Sequence, residues 1–168
     1  MIPYDKRDGK IWYNNEFVDW NDVKVHVLSH GLHYASCVFE GERVYDGEIF
    51  KLEEHTKRFF YSAERMGFEI PYSLEEINNA SKKIISIQNV SNGYVRPVAW
   101  RGSEMMAISA QKTKIHVAIA TWEWGTYFDP KLKTEGIKLN ISKWKRPAPD
   151  TIPWDTKASG LYMICTLS

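Results

Sequence analysis

Several features are scarce in this chain of 168 residues, and each absence excludes a class of protein. Cysteine occurs only as Cys37 and Cys165, which form no C-x-x-C unit and no zinc-ligand spacing with histidine. A disulfide scaffold and a metal centre are therefore not expected. Charge of one sign is also scarce, because the net charge is +1 at pH 7. This balance argues against nucleic acid or an anionic membrane as a partner.

Long apolar runs are lacking as well. No stretch approaches the roughly 20 apolar residues of a membrane-spanning helix, and residues 1–10 are polar and charged, without the apolar core of a secretory signal. Together with the few cysteines, this predicts a reduced, cytoplasmic protein. Glycine-rich phosphate loops of the G-x-G-x-x-G or P-loop type are missing too. What is present, 43% hydrophobic and 14% aromatic residues, is typical of a globular protein with large side chains in its core.

The first third of the chain has the period-two alternation of β-strands. The pairs Asn14-Asn15 and Asp46-Gly47 each separate two such runs, and both positions of a tight hairpin turn need positive φ. Two hairpins are therefore predicted. The strands expected in this part span residues 11–13, 16–18, 24–28, 37–45 and 48–52.

The apolar spacing then changes to that of helices. Phe59, Ala63 and Met66 form one stripe of a helix predicted from Glu53, with Gly67 as its C-terminal stop. Residues 73–76 have the pattern of a capping box, which predicts a second helix from Ser73 to about residue 88.

Strand-like patterns resume at residues 94–100 and 114–120, and again at 137–144. Pro97 predicts that the first of these is an edge strand or carries a bulge, because proline cannot donate to a ladder. A rigid loop with three prolines precedes Lys157, and residues 161–167 could begin a helix. The order of strands, two helices and strands predicts an α+β fold with a mainly antiparallel sheet.

Three charged residues are candidates for chemistry. Lys157 lies between the proline-rich loop and small residues, and lysine forms covalent bonds with aldehydes as the neutral amine; most lysines, however, are solvated surface groups. Arg58 could bind phosphate through its planar fork, or be a solvated charge near Glu54 on the same helix. Arg96 lies inside an apolar strand and must point to water, a partner or a pocket. The spacing of His30 and His33 lacks a third ligand and indicates core or loop histidines.

Five segments, in order, resemble the class IV (fold-type IV) aminotransferases, and their branched-chain amino-acid members in particular. Residues 33–41 are similar to the family's H-Y-G-x-x-V-F-E-G stretch, and residues 55–58 to its E-H-x-x-R helix start. Residues 94–97 resemble Y-I-R-P and residues 124–127 resemble P-W-G-x-Y. Residues 146–162 resemble R-A-x-P-x-x-x-P followed by K-x-x-G-x-Y. Ala35 and Pro147 depart mildly from these patterns.

This resemblance implies a pyridoxal 5'-phosphate enzyme that transaminates leucine, isoleucine or valine with 2-oxoglutarate. Lys157 would be the catalytic residue, bonding to the cofactor aldehyde and moving the proton between Cα and C4′. Arg58 would hold the cofactor phosphate and Tyr162 its phenolic oxygen. The substrate-binding residues would be Tyr34 and Arg96, for the distal carboxylate, with Phe39 and Tyr127 around the aliphatic side chain.

The resemblance also implies a domain division. Residues 1–128 would form the N-terminal α+β domain, 129–135 a linker and 136–168 the start of an incomplete cofactor-binding domain. The chain alone is therefore expected to be inactive or nearly so, and to self-associate as a homo-oligomer that binds amino acids and 2-oxo acids. The alternatives are a D-amino-acid aminotransferase or an aminodeoxychorismate lyase of the same fold, or a non-catalytic interaction domain.

Overall fold

The architecture is an antiparallel sheet with two long helices on one face. The structure, a computed structural model, describes residues 2–125 and 131–168, with Lys133 described by its backbone alone. Seven strands of the described residues form one sheet in the order β2-β1-β7-β6-β4-β5, and β3 pairs with β6 beside β4. All of the pairings are antiparallel, which confirms the predicted fold class. The strands are β1 Lys10–Tyr13, β2 Glu16–Asp19, β3 Cys37–Phe39, β4 Glu42–Tyr45, β5 Glu48–Ile49, β6 Gly93–Arg101 and β7 Ile115–Glu123.

Both predicted hairpins are present. Asn14 and Asn15 adopt φ of 48° and 73°, and Asp46 and Gly47 adopt φ of 50° and 80°. Two successive residues at positive φ make the turn whose twist matches that of paired strands. The hairpins therefore arise where the sequence places residues that tolerate this backbone conformation.

The helices that cover the sheet are α2 Leu52–Arg65 and α3 Leu74–Ile87; α1 is the short His30–Tyr34. Phe59 of α2 and Ile77 and Ile84 of α3 are completely buried against one face of the sheet. The predicted C-terminal end of α2 and N-terminal end of α3 are also confirmed. The chain leaves α2 through Gly67 at φ 75°, and the Ser73 hydroxyl accepts from the backbone N–H of Glu76 in a complete capping box. A smaller cluster around Trp100 lies on the opposite face of the sheet.

Pro97 lies in a central strand, so the prediction of an edge strand or bulge is wrong. Strand β6 pairs with β7 on one side and with β3 and β4 on the other, in one continuous register. The Glu40 N–H donates to the Pro97 carbonyl at 2.8 Å. In an antiparallel ladder the missing N–H of Pro97 would have returned that bond. The sheet accommodates the proline at the break between β3 and β4.

Two predicted strands are not formed. Residues 24–28 and 137–144 alternate in sequence, but no described strand pairs with either. Their backbone makes local hydrogen bonds instead: Leu28 N donates to His26 Nδ1 at 3.1 Å, and Ile141 N to the Asn140 side chain at 2.8 Å. Alternation places side chains on two faces, but only a neighbouring strand completes the ladder.

The C-terminal residues add two short helices, α4 Leu132–Glu135 and α5 Met163–Leu167, the second preceded by a 3₁₀ turn at Ser159–Tyr162. The helix predicted to begin within residues 161–167 is therefore confirmed. Ala158 and Leu161 are buried in the main core, which anchors this part to the sheet. Among residues 2–125 and 131–168, no helix has the length and apolar character needed to cross a membrane.

Candidate active site

Lys157 is held by its backbone between strand β3 and helix α2. Its N–H donates to the Ser62 hydroxyl oxygen at 3.0 Å, and its carbonyl accepts from the Phe39 N–H at 3.1 Å. The next residue, Ala158, forms a β-bridge with Val38. The prolines that precede Lys157 limit the conformations of the approaching chain. The lysine therefore has a defined backbone position although it follows a loop.

The Lys157 side chain lies among aromatic rings. Its Nζ donates to Tyr162 Oη at 2.8 Å and lies 4.7 Å from the centre of the Phe39 ring. The rings of Phe39 and Tyr162 meet edge to face at 4.8 Å. The 3₁₀ turn at Ser159–Tyr162 brings the phenol back over the amine. An amine packed against rings, with one polar contact, is well placed to react with an organic carbonyl.

The amine opens into a cleft of 240 Å³ with cationic walls. Two guanidinium groups, Arg58 and Arg146, share this cleft with the Lys157 amine. Guanidinium groups bind phosphate and carboxylate through paired hydrogen bonds. The cleft therefore suits an anion that also carries a carbonyl group. Its lining residues are Arg58, Arg146, Trp154, Asp155, Thr156, Lys157 and Tyr162.

Arg58 is oriented by a buried carboxylate. Its Nε and Nη2 donate to the two carboxylate oxygens of Glu40, at 2.6 and 2.7 Å, and Glu40 is completely buried. His55 contacts the same carboxylate at 2.8 Å. Burial opposes ionisation of Glu40, but the hydrogen bonds from Arg58 and His55 outweigh it and lower its pKa. Glu54, the alternative partner considered for Arg58, pairs with Lys51 instead.

A second buried acid, Glu42, lies two residues further along on the same face of the sheet. Its side chain is completely buried, and neither carboxyl oxygen has a hydrogen-bond partner among the described residues. Burial, together with the negative charge of Glu40, raises the pKa of Glu42 to about 8, although Arg58 opposes this shift. Glu42 is therefore mainly neutral at pH 7, whereas Glu40 carries the charge that orients Arg58.

Arg96 approaches the same aromatic cluster from the face of the sheet opposite to the long helices. Its guanidinium lies 4.7 Å from the centre of the Phe39 ring, and its Nη2 donates to Tyr94 Oη at 3.2 Å. Its Nε is buried without a partner among the described residues. Arg96 also borders an apolar cleft of 460 Å³ that Val98, Trp100 and other apolar residues line. A free guanidinium donor beside an apolar wall suits a ligand with both an anionic and an aliphatic part.

Five of the predicted site residues thus come together. Arg58, Lys157 and Tyr162 line the cationic cleft, and Phe39 lies between this cleft and Arg96. Tyr34 does not join this cluster. It is 45% exposed and packs on His30, with the two rings 4.5 Å apart. Tyr127 lies outside the described residues.

The two histidines of the H-x-x-H pattern bind backbone carbonyls. His30 is buried with its Nε2 at 2.9 Å from the Ala107 carbonyl, and His33 Nε2 lies 2.8 Å from that of Val27. Within the described ranges no group of three or more histidine, cysteine, aspartate or glutamate residues could hold a metal ion.

Sequence reasoning missed several residues of the site. Glu40 lies inside the quoted 33–41 motif, yet its bidentate pair with Arg58 was not anticipated. Ser62 and the Tyr61–Asp155 hydrogen bond, at 2.5 Å, were also missed. The contacts of Ser62 and Tyr61 join residues 95 and 94 positions apart, so no local spacing signals them. Only the proximity of Asp155 to Lys157 in sequence could have suggested its role.

Comparison with known proteins assigns the family. The model of the amino-transferase class IV family matches residues 37–165. This chain belongs to that family. The match covers most of the sheet, both long helices and the Lys157 region.

The curated relatives of this class IV aminotransferase chain include branched-chain-amino-acid aminotransferases. That of Pseudomonas aeruginosa is 42% identical over 161 residues, which cover 94% of this chain and 52% of that protein. That of Escherichia coli K12 is 37% identical over 163 residues, covering 94% and 53%. The chain therefore spans about half the length of the curated relatives it matches.

Solved structures of the family share the fold. The T.th. branched-chain amino acid aminotransferase with pyridoxamine 5'-phosphate superposes with a TM-score of 0.90 at 36% identity, over 96% of this chain and 54% of that one. The enzyme of Thermoproteus uzoniensis with norvaline gives a TM-score of 0.87 at 31% identity, over 96% and 55%. The chain accordingly has the architecture of about half of a fold-type IV aminotransferase.

Proposed function

We propose that this chain is the N-terminal part of a branched-chain amino-acid aminotransferase, which exchanges the amino group of leucine, isoleucine or valine with 2-oxoglutarate. The observation that carries the proposal is the Lys157 amine, hydrogen-bonded to Tyr162 at 2.8 Å in a cleft that Arg58 and Arg146 also line. The relatives named above, which are branched-chain aminotransferases, support this substrate class.

The residues present fit pyridoxal 5'-phosphate. The group has an aldehyde, a phenolic oxygen and a phosphate, and the cleft offers an amine, a phenol and two guanidinium groups. When bound, the cofactor supplies an electron sink for negative charge that develops on the substrate Cα. Lys157 would hold the cofactor covalently and later move the Cα proton as a general base. Tyr162 would orient the phenolic oxygen, while Arg58, fixed by Glu40, would hold the phosphate with help from Arg146.

The substrate would lie on the side of Phe39 that faces Arg96. The Arg96 guanidinium, with a buried Nε free of partners among the described residues, would bind the distal carboxylate of glutamate or 2-oxoglutarate. Phe39 would present an apolar wall to the aliphatic chain of leucine, isoleucine or valine. Tyr34, at the distal carboxylate, and Tyr127, beside the aliphatic side chain, would complete the substrate site, as the family resemblance implies.

The proposed enzyme has a domain boundary within this chain. Residues 1–128 would form the N-terminal domain, 129–135 the linker and 136–168 the beginning of the cofactor-binding domain. Because the chain spans about half the length of its relatives, the 168 residues alone would have little or no activity. We further propose a cytoplasmic homo-oligomer.

The test is covalent labelling of Lys157. The protein is incubated with pyridoxal phosphate, reduced with borohydride and mapped by peptide mass spectrometry. We expect the label on Lys157, and we expect Lys157→Ala to abolish it while lowering the free energy of unfolding by less than about 1 kcal/mol, because this side chain is placed for reaction rather than packing. Lys138→Ala, which changes a lysine outside the cleft, is the matched control and should keep the label.

Pyridoxal without phosphate serves as the second control compound. If the cationic cleft binds phosphate, pyridoxal should label Lys157 less efficiently than pyridoxal phosphate. A label on Lys138 or Lys143 while Lys157 stays free would refute the assignment. Absence of any specific label in a full-length protein that carries these residues would favour a non-catalytic interaction domain.

A further inference from the structure

Helix α2 carries two adjacent side chains that hold the segment of the reactive lysine. The Ser62 hydroxyl oxygen accepts the Lys157 N–H at 3.0 Å, and Tyr61 Oη donates to Asp155 Oδ2 at 2.5 Å. Arg65, one turn further on, lies 3.7 Å from the other Asp155 oxygen. One helix therefore fixes the backbone at Lys157 and the chain two residues before it.

Of these contacts, the one from Ser62 matters most because it is buried. Ser62 is 0% exposed, and Val38 and Ala158, which form the bridge next to Lys157, are 0% and 2% exposed. Without the hydroxyl, the Lys157 N–H would lose its partner in a part-buried position, so the segment would have to shift or bear part of the cost of an unpaired donor. Tyr61 is 43% exposed, so water can replace the contact that it makes with Asp155.

The backbone position determines where the Lys157 amine lies. From its fixed backbone the side chain reaches Tyr162 Oη at 2.8 Å and lies over the Phe39 ring at 4.7 Å. A displacement of the backbone would move the amine away from both contacts, and covalent chemistry is sensitive to such displacements.

We propose that Ser62 is a positioning residue that sets the reactive geometry of Lys157 through the backbone, with the Tyr61–Asp155 hydrogen bond as a weaker second tether. This inference rests on the proposed function for the chemistry of Lys157, but the hydrogen bond itself can be tested without it. Ser62 lines neither the cationic cleft nor the apolar cleft, so its proposed effect on the chemistry is transmitted through Lys157.

The experiment compares Ser62→Ala with Ser81→Ala in this 168-residue chain. Ser81 is equally buried, on the neighbouring helix α3, and its hydroxyl has no hydrogen-bond partner among the described residues. Both changes remove one buried hydroxyl, but only the first removes a partner of Lys157. The measurements are hydrogen exchange of the Lys157 and Val95 backbone amides, and borohydride-trapped labelling of Lys157 and Lys138 by pyridoxal phosphate over a range of pH.

Ser62→Ala should speed exchange at Lys157 roughly five- to tenfold, the factor expected for one lost hydrogen bond, and by more than it speeds exchange at Val95. Labelling of Lys157 relative to Lys138 should fall by a similar factor across the pH profile. Ser81→Ala should change neither ratio. A role confined to stability would instead speed exchange at both amides by the same factor and leave the labelling ratio unchanged.

Two results would overturn the inference: unchanged exchange at Lys157 in Ser62→Ala, or faster exchange with an unchanged labelling ratio. If the unsubstituted chain shows no label on Lys157, the labelling comparison is made in a full-length protein that carries these residues, where absence of the label refutes the proposed function. Hydrogen exchange decides in either case whether Ser62 tethers the segment. If Ser62→Ala does not fold, Tyr61→Phe provides the second variant. Tyr61→Phe should reduce the labelling of Lys157 relative to Lys138 by a smaller factor. An unchanged ratio would count against the proposal that the contacts from helix α2 position Lys157.

Discussion

The sheet region, residues 10–123, and the C-terminal segment, residues 131–155, contain similar apolar patterns but have different structures. In the sheet region, strand β7, Ile115–Glu123, has branched apolar residues at the alternate positions 115, 117 and 119 and is paired on both sides, by β1 and β6. In the C-terminal segment, residues 137–144 alternate just as regularly, yet Leu139 and Ile141 are 85% and 93% exposed. Both segments place apolar residues at alternate positions, but only β7 has neighbouring strands with which it pairs.

This difference shows where stability and chemistry lie in the molecule. Most of the buried residues that hold the fold belong to the sheet and the two long helices, and the C-terminal residues add Ala158 and Leu161. The proposed reactive amine follows the exposed segment and is attached to the core through Ser62, Phe39 and Val38. The sheet region therefore supplies the rigid support, and the later residues supply the reactive group.

The largest expected effect tests this difference with one residue type. Ile119→Ala, in β7 at 0% exposure, should lower the free energy of unfolding by roughly 2–5 kcal/mol, because the change removes buried methyl groups and leaves a cavity. Ile141→Ala, at 93% exposure, should change it by less than about 0.5 kcal/mol. Urea denaturation of both variants provides the measurement. Similar losses in the two would mean that the C-terminal segment is packed in solution.

The next largest effect concerns Glu42 in the sheet region, which should make the free energy of unfolding depend on pH. In the unfolded chain a glutamate ionises near 4.5, but in the folded chain burial and Glu40 raise the pKa of Glu42 to about 8. Between these values the folded state binds more protons, so the free energy of unfolding should fall as pH rises. The slope contributed by this group is at most about 1.4 kcal/mol per pH unit, on the order of 2 kcal/mol between about pH 6 and about pH 8.

Glu42→Gln should remove this contribution, because the amide does not ionise. The comparison variant is Glu135→Gln in the C-terminal segment, where the side chain is exposed and the pH profile should stay as in the unsubstituted chain. Denaturation series at several pH values measure both. If the free energy of unfolding changes equally with pH in the unsubstituted chain and in Glu42→Gln, another group controls the pH dependence.

The smallest expected effect compares two serines that accept a backbone N–H. Ser73 caps helix α3, and Ser73→Ala should cost about 1 kcal/mol of unfolding free energy, since it removes a complete capping box. Ser142 accepts from the Trp144 N–H at 3.0 Å within the exposed segment, and Ser142→Ala should cost less than about 0.5 kcal/mol. Thermal or urea unfolding measures both. A larger loss at Ser142 would reverse the assignment of stability to the sheet region.

Local signals account for most of what the sequence predicted correctly. Turn pairs such as Asp46-Gly47 need positive φ, and the capping box at Ser73 is complete within four residues, so both are readable without knowledge of the fold. The antiparallel α+β class follows from these elements in order. The predictions of a strand at residues 137–144 and of an edge strand or bulge at Pro97 are wrong, because strand pairing depends on which chain segments become neighbours.

The candidate site shows the same limit. Lys157, Arg58 and Arg96 were identified because residue type and family resemblance point to each one separately. The groups that orient them are distant in sequence: Glu40 is separated from Arg58 by 18 positions and Ser62 from Lys157 by 95. Hydrogen bonds of this kind are determined by packing, and single-sequence patterns do not contain them.

Pro97 has a consequence for how the sheet finds its correct alignment. Strand β6 is the hub of the sheet, contacted by β7 on one side and by β3 and β4 on the other. In the native alignment the missing N–H of Pro97 falls opposite Glu40, in the break between β3 and β4. If β3 and β4 slipped by two residues, the side-chain faces would be preserved, but the missing donor would fall opposite Val38 or Glu42 and interrupt the ladder inside one of the two strands. The proline thus acts as an alignment marker, which selects one docking of the β3–β4 strands from several that hydrophobic patterning alone would allow.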